Sequence, residues 1–383
     1  MRNFLNDSAI ALKQGGIRAF FDKAAGYKDT INLGIGEPDL DTPHDITEAA
    51  YRSAMEGFTH YTANAGLIGL RKEISKYLSE YGVDADPEKE IIVTPGGMGA
   101  LSLTLLCTVS EGVDVLVQDP QWLNYISQIR FMGGNPVRIP VYEENGYVLT
   151  AEDIEKAITP ATKVLLINSP NNPTGAVIDH DTLVSIAKIA IEKDLLVVSD
   201  EVYCELLYDG RKHESIAALP GMKERTVIVN SFSKSFAMTG WRIGFAAGPE
   251  QIIKKLVYLQ ENMSACANSF SQMGAAYALQ SRSQLTEMRE KYENRRDLMC
   301  EGLRKLSKVS FVVPKGAFYI FLNIKKTGLT SMEAAERLLT ETGVVAVPGS
   351  AFGEMGEGYL RLSYANSEEN LREALVRMEK VLG

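Results

Sequence analysis

A chain of 383 residues with a formal charge of −9 and both signs scattered along it has no basic arm or stripe to neutralise phosphates, which speaks against nucleic acid as a partner. With 45% hydrophobic and 23% charged residues and no low-complexity tract, it is a globular chain, not a disordered one. Its length exceeds the roughly 250–300 residues at which a single core stops growing, so one large and one smaller domain are expected.

Residues 1–16 mix Arg2, Asn3, Asn6, Asp7 and Lys13 with apolar residues and lack the apolar core and cleavage site of a signal peptide. No uninterrupted apolar stretch approaches the ~20 residues that cross a bilayer, so no membrane partner is expected. From about residue 91, short β-branched runs at 91–93, 113–117, 163–167, 195–199, 226–230 and 242–246 alternate with helical patterns. In 179–193, for example, Leu183, Ile186, Ala187 and Ala190 recur at helical spacing. Continuous rather than alternating hydrophobicity marks strands covered on both faces. The predicted fold class is therefore α/β, a mostly parallel central sheet flanked by helices. After residue 280 a charged helix at 286–305, strands near 311–313, 318–323 and 359–363, a helix near 331–341 and a final amphipathic helix describe a smaller α+β domain. The expected division is 41–280 for the large domain and 281–383 for the small one, with residues 1–40 packing against the latter. Four cysteines (Cys107, Cys204, Cys266, Cys300) without CxxC spacing and four histidines (His44, His60, His180, His213) without HxxxH spacing predict reduced thiols, no metal site and a cytoplasmic protein.

Ligands of open α/β sheets bind beyond the carboxyl ends of strands, so the clusters there carry the chemistry. Thr94-Pro-Gly96-Gly97-Met98-Gly99 would let backbone N–H groups and a helix N-terminus approach a phosphate, although it is neither GxGxxG nor a Walker loop. Asp119-Pro-Gln-Trp122 offers an indole that either stacks on a flat heteroaromatic ring or belongs to the core. Ser169-Pro-Asn-Asn172-Pro-Thr-Gly175 is a stiff turn that is either purely structural or presents Asn172 as a rigid donor. In Asp200-Glu-Val-Tyr203, the carboxylate suits a protonated pyridine nitrogen and the phenol a phenolate oxygen; alternatively Asp200 caps a helix with Tyr203 packed beside it. Ser231-Phe-Ser233-Lys234 places two hydroxyls and an amine past a buried strand, with Arg242 eight residues on. That lysine is a phosphate ligand, a Schiff-base amine or a solvated loop residue. Arg361, in the strand-like Tyr359-Leu-Arg-Leu-Ser-Tyr364, needs a carboxylate partner, from a substrate or from the protein.

In this order, Asn172-Pro-Thr-Gly175, Asp200-Glu-Val-Tyr203, Ser231-x-Ser233-Lys234 and Arg242 closely resemble the fold-type-I pyridoxal phosphate (PLP) enzymes of the aspartate aminotransferase family. Gly36-Glu-Pro-Asp39, Tyr61-Thr-x-x-x-Gly66, Gly96-Gly97 and the Arg361 segment extend the similarity over nearly the whole chain, and the string from Phe236 to Gly244 looks like the bacterial and archaeal subgroup. The resemblance implies that Lys234 holds PLP as a Schiff base and then moves the substrate Cα proton. It implies that Asp200 keeps the pyridine nitrogen protonated, that Tyr203 and Asn172 bind the phenolate oxygen and that Trp122 stacks on the ring. The phosphate would be held by Ser231, Ser233, Arg242 and the backbone at Gly97 and Met98, with Tyr61 reaching it from a second subunit of a homodimer. Arg361 would clamp the substrate α-carboxylate with Asn172 and the backbone at Gly36. The implied reaction moves an amino group from an L-amino acid to a 2-oxo acid by a ping-pong route. In dicarboxylate-selective relatives of the subgroup a basic residue follows the two glycines. Met98 stands there instead, so apolar or aromatic substrates are expected over aspartate, with Ile17 and Phe352 as pocket walls. A PLP-dependent lyase (β-lyase or cyclopropane-carboxylate synthase type) is the alternative on the same scaffold; a regulator bearing such a domain is disfavoured by the lack of a basic DNA-reading module.

Overall fold

The computed structural model describes residues 26–383 together with Phe4, Ile10 and Ala24; Ile17 lies outside the described residues. Its strands in chain order are β1 (Ile31–Asn32), β2 (Ile91–Thr94), β3 (Asp114–Asp119), β4 (Asn135–Pro140), β5 (Thr162–Asn168), β6 (Leu196–Asp200), β7 (Thr226–Ser231), β8 (Gly244–Ala247), β9 (Ser310–Phe311), β10 (Tyr319–Asn323), β11 (Val344–Val345), β12 (Val347–Pro348) and β13 (Tyr359–Ser363). Seven of them form one sheet in the order β2-β8-β7-β6-β5-β3-β4. Only β8 runs antiparallel to its neighbours.

The continuous hydrophobicity of these strands has the cause expected of it. One face presents Val115, Val117, Val164, Leu166, Val198 and Val229 to Leu101, Leu105, Ile253 and Leu256 of helices Gly96–Thr108 and Glu250–Met263. The other presents Leu116, Leu165, Ile167 and Val197 to Leu183, Ile186 and Ala190 of helix His180–Glu192. That helix starts where Asp179 accepts the Thr182 N–H, and its buried stripe is the one read from the sequence.

Two expectations change. β4 was not foreseen because Pro136 and Pro140 break the strand pattern; the structure accommodates them on an edge strand that pairs only with β3. The strand expected at 242–246 begins at Gly244, because Arg242 has φ of 54° and ends a short turn instead.

The second sheet, order β12-β13-β10-β9, is antiparallel. Helices Ser283–Leu303 and Glu368–Leu382 pack on each other beside it. The helix expected at 331–341 is α-helical over Ser331–Arg337 and widens into a π turn at Leu338–Thr342. β1 pairs in parallel with β11, and Ser363 donates its N–H to the Leu33 carbonyl at 2.7 Å. Residues 31–33 are thereby stitched to the C-terminal part of the chain, and the residues that follow reach the carboxyl ends of the large sheet.

Candidate active site

Parallel register aligns the ends of β5 and β6, with Asn168 opposite Asp200, and brings β7 beside them to end at Ser231. A cavity of about 500 Å³ opens there. It is lined by Gly97, Met98, Trp122 and Asn172, by Asp200, Tyr203, Ser231, Ser233, Lys234 and Arg242, and on the other side by Gly36, Phe352 and Arg361. Tyr61 does not line it. Tyr61 is 88% exposed.

Lys234 follows the first turn after β7. That turn is set by Ser231, whose Oγ accepts the Ser233 N–H at 3.1 Å and donates to Ser233 Oγ at 2.8 Å. Lys234 Nζ donates to the Gly36 carbonyl at 2.6 Å. Burial pulls its pKa down to about 8; Glu37 and Asp200 oppose the fall, and Arg361 and Arg242 reinforce it. The solvated-loop reading of this lysine is therefore wrong.

Asp200 is 4% exposed and caps no helix. Its Oδ2 accepts the Tyr125 hydroxyl at 2.6 Å and its Oδ1 the Val202 N–H at 3.2 Å. Burial raises its pKa to about 6, against the lowering effect of these hydrogen bonds. Tyr203 shares a 2.9 Å hydrogen bond with Tyr319, and burial raises its pKa well above the ordinary value. Asn168 ties the strand ends together: its amide donates to the Asp200 carbonyl at 3.0 Å and its Oδ1 accepts the Asn172 N–H at 2.9 Å.

Arg361 is 6% exposed, yet among the described residues no carboxylate pairs with it. It donates to Asn172 Oδ1 at 3.1 Å and to the Gly34 carbonyl at 2.6 Å. Its guanidinium lies 4.4 Å from the Tyr319 ring centroid and 4.9 Å from that of Phe352. Nε, though buried, has no partner. Burial lowers its pKa. Of the two partners the sequence allowed, no internal acid is found among the described residues, and a buried cation held by neutral groups is left with the capacity to take an anion.

Two glycines make room. At Gly96, with φ of 75°, a Cβ would stand 2.4 Å from Arg242 Nη2; at Gly36 it would stand 2.7 Å from the Tyr319 hydroxyl. Sequence reasoning missed Tyr125, Tyr319, Asn168 and Glu37. Tyr125 was traceable, since it lies three residues after Trp122 at a strand-to-helix junction, and the two rings meet edge-on at 5.3 Å. Tyr319 comes from a distant strand and carries no local signal.

The pattern of aminotransferase class I and II matches residues 28–378. The chain belongs to the class I and II aminotransferases. It is 46% identical to aromatic-amino-acid aminotransferase 2 of Thermococcus litoralis and 48% identical to an aspartate aminotransferase of Pyrococcus abyssi, in each case over 99% of this chain and 98% of the relative. Among solved structures it superposes on an aromatic aminotransferase from Pyrococcus horikoshii with a TM-score of 0.91 and 46% identity, covering 95% of this chain and 98% of that one. This aminotransferase has the mostly parallel α/β architecture of fold type I, as its sequence implied. No helix among the described residues is long and apolar enough to cross a membrane.

Proposed function

We propose that this aminotransferase uses PLP, held at Lys234, to move the amino group of an apolar or aromatic L-amino acid to a 2-oxo acid by a ping-pong route. The carrying observation is a desolvated lysine amine in the same cavity as a buried carboxyl, Asp200, and a buried guanidinium, Arg361, that has no acidic partner among the described residues.

The residues fit the cofactor. Gly96 and Gly97 leave a cradle that a Cβ would fill, beside Arg242 and the Ser231 and Ser233 hydroxyls, which suits a phosphate. Asp200 lies deeper, with its pKa raised to about 6, and a protonated ring nitrogen is the partner that would draw it back to the ionised form. Tyr203 and Asn172 would bind the ring oxygen and Trp122 would lie against the ring. When bound, PLP supplies an electron sink for the charge that develops at the substrate Cα. The chain does the rest. Arg361 would hold the α-carboxylate with Asn172 and Gly36 and so set which bond at Cα faces Lys234. Lys234 Nζ, near pKa 8, would take the Cα proton and return it on the other side of the transfer.

Apolar walls support the choice of substrate: Ile35, Met98, Leu101, Leu123, Val347 and Phe352 line the cavity. The aminotransferase names of the relatives favour transfer over elimination.

We also propose a homodimer with shared sites. Tyr51, Met55, Tyr61, Tyr258, Met263 and Met273 are exposed on helices His44–Met55, Glu250–Met263 and Ser269–Gln280 and the loop between the first of these and residue 68. Gln260 and Gln272 tie that loop to the two later helices at 2.6 and 3.0 Å, and exposed apolar side chains on elements so joined support a contact with a second copy. The division 1–40, 41–280 and 281–383 and a cytoplasmic setting complete the proposal, the latter supported by four free thiols.

The test is the absorption spectrum of PLP-loaded protein during addition of single amino acids. Loss of the visible band with L-phenylalanine or L-leucine, restored by a 2-oxo acid, supports the reading. Rates with aspartate far above those with phenylalanine, tyrosine, leucine and alanine would refute the substrate choice, and steady release of pyruvate and ammonia would refute transfer.

A further inference from the structure

The segment Asp119-Pro-Gln-Trp122 gives Trp122 to the cavity, but the aspartate that opens it has no part in the chemistry described so far. Asp119 ends β3 and is 3% exposed. Its carboxylate meets a loop that lies 235 residues further along the chain. Oδ2 accepts the Glu354 N–H at 3.1 Å and Oδ1 the Met355 N–H at 3.4 Å, while Arg138 of β4 donates to Oδ2 at 3.4 Å. Two residues after Asp119, Gln121 donates its N–H to the Phe352 carbonyl at 2.9 Å. Gly353 stands between these contacts with φ of 134°, and a Cβ there would overlap the Asp119 carboxylate. One short stretch at the end of β3 thus holds the backbone from Phe352 to Met355. Burial pushes the Asp119 pKa up, and Arg138 and the two N–H groups push it back.

What each side carries gives this contact its meaning. Trp122 follows Gln121 directly and lines the cavity. On the other side, β12 lies in register with β13, Val347 opposite Arg361, and the chain then turns through Gly349–Phe352. That turn brings the Phe352 ring back over the Arg361 guanidinium, 4.9 Å from it, with its edge against Phe321 at 6.3 Å. Bonds to a charged carboxylate are the stronger kind, and a displacement of about 1 Å at a binding group is enough to cost affinity. We propose that Asp119 is a positioning residue for the substrate α-carboxylate. By holding the loop from Phe352 to Met355 it sets Phe352 against Arg361, and it ties that wall of the cavity to Trp122 opposite. Asp119 touches neither substrate nor cofactor; it acts through Phe352. The inference rests on the aminotransferase site proposed above.

The experiment compares Asp119→Ala, Asp119→Asn and Glu201→Gln in the PLP-loaded protein, Glu201 being an equally buried carboxyl that meets neither loop nor cavity wall. Turnover is read with whichever amino donor the wild type accepts best, so the result does not depend on the choice of substrate. Asp119→Ala is expected to raise KM about tenfold and to keep kcat within about threefold. Binding of 3-phenylpropanoate, which carries a carboxylate but no amino or oxo group, should weaken about tenfold as well in calorimetric titration. Asp119→Asn keeps an oxygen for the two N–H groups without the charge, so about threefold is expected for both readouts. Glu201→Gln should lower the melting temperature and leave both readouts within about twofold. Should Asp119→Ala fail to fold, Asp119→Asn and Arg138→Gln decide, with about threefold and about twofold expected. Unchanged KM and probe affinity, a kcat loss as large as the KM rise, or the same KM rise in Glu201→Gln would each overturn the positioning role and leave the site reading intact. If the wild type neither binds the probe nor passes an amino group from any amino acid to a 2-oxo acid, the site reading itself fails.

Discussion

Strand β6 ends at Asp200 and is followed by Glu201, two consecutive buried carboxyl groups at 4% and 2% exposure that face different surroundings. Glu201 points away from the cavity and accepts three hydrogen bonds, from Ser199 at 2.8 Å, Ser215 at 2.7 Å and His213 at 2.8 Å. Asp200 faces the cavity with the Tyr125 hydroxyl and one backbone N–H, and burial raises its pKa to about 6. The same contrast holds among the cations. Arg296 shares its guanidinium with Asp209 and Asp297, each at 2.8–2.9 Å, whereas among the described residues Arg361 meets no acid and keeps a buried Nε without a partner. Satisfied buried charges hold the fold. Those left with unused capacity, Asp200 and Arg361, line the cavity.

The contrast predicts a separation between activity and stability, widest at Lys234. Lys234→Ala should lower kcat by at least about a thousandfold with the folded state intact, as loss of a positioned base implies; turnover and thermal melting measured together check this. Next comes the carboxylate pair. Asp200→Asn should cut kcat by about a hundredfold or more with little change in melting, since a neutral amide cannot hold a ring proton. Glu201→Gln should instead cost about 1–3 kcal/mol of unfolding free energy, with activity per folded molecule kept within severalfold. The reverse outcome would break the comparison.

Arg361→Met should lower kcat/KM by about 2–4 kcal/mol in transition-state terms, chiefly through KM. A uniform loss for every substrate is expected, because the α-carboxylate is common to all. The pH dependence of stability gives a smaller signal. Burial holds Lys234 at about 8 against its ordinary 10.5, so between these values the unfolded chain binds more protons than the folded one. Stability of the cofactor-free protein should therefore rise with pH across that window, by at most about 3 kcal/mol, and Lys234→Ala should flatten the rise in denaturant titrations. The smallest effect is expected at Tyr125→Phe. Its hydroxyl holds Asp200 toward the ionised form, so its loss should raise the Asp200 pKa further and slow turnover by about fivefold. The pH profile should shift with it, which a merely structural role would not produce.

Much of the site was legible because its chemistry sits at strand ends, where a buried run meets a polar cluster within a few residues. Asp200, Ser231 and Lys234 were singled out this way, and Asn172 through its turn, and all four line the cavity. Tyr319 was not singled out, because a tyrosine within a buried strand looks like core until β10 is laid against Arg361 of β13. Arg242 was read as a phosphate ligand and assigned to a strand; it lines the cavity but lies outside β8, since nothing local announces a left-handed arginine.

The sequence by itself determined the layered α/β architecture, since hydrophobic periodicity reports which faces are covered, and it named the groups able to do chemistry. It could not determine which of those groups are satisfied. That is a matter of partners, and partners are chosen by strand register and by the closure of the C-terminal sheet over the large one. Only the tertiary structure separated Asp200 from Glu201 and set Arg361 against the neutral Asn172 and Gly34 carbonyls, because hydrogen bonding and desolvation act between residues that the chain brings together from far apart.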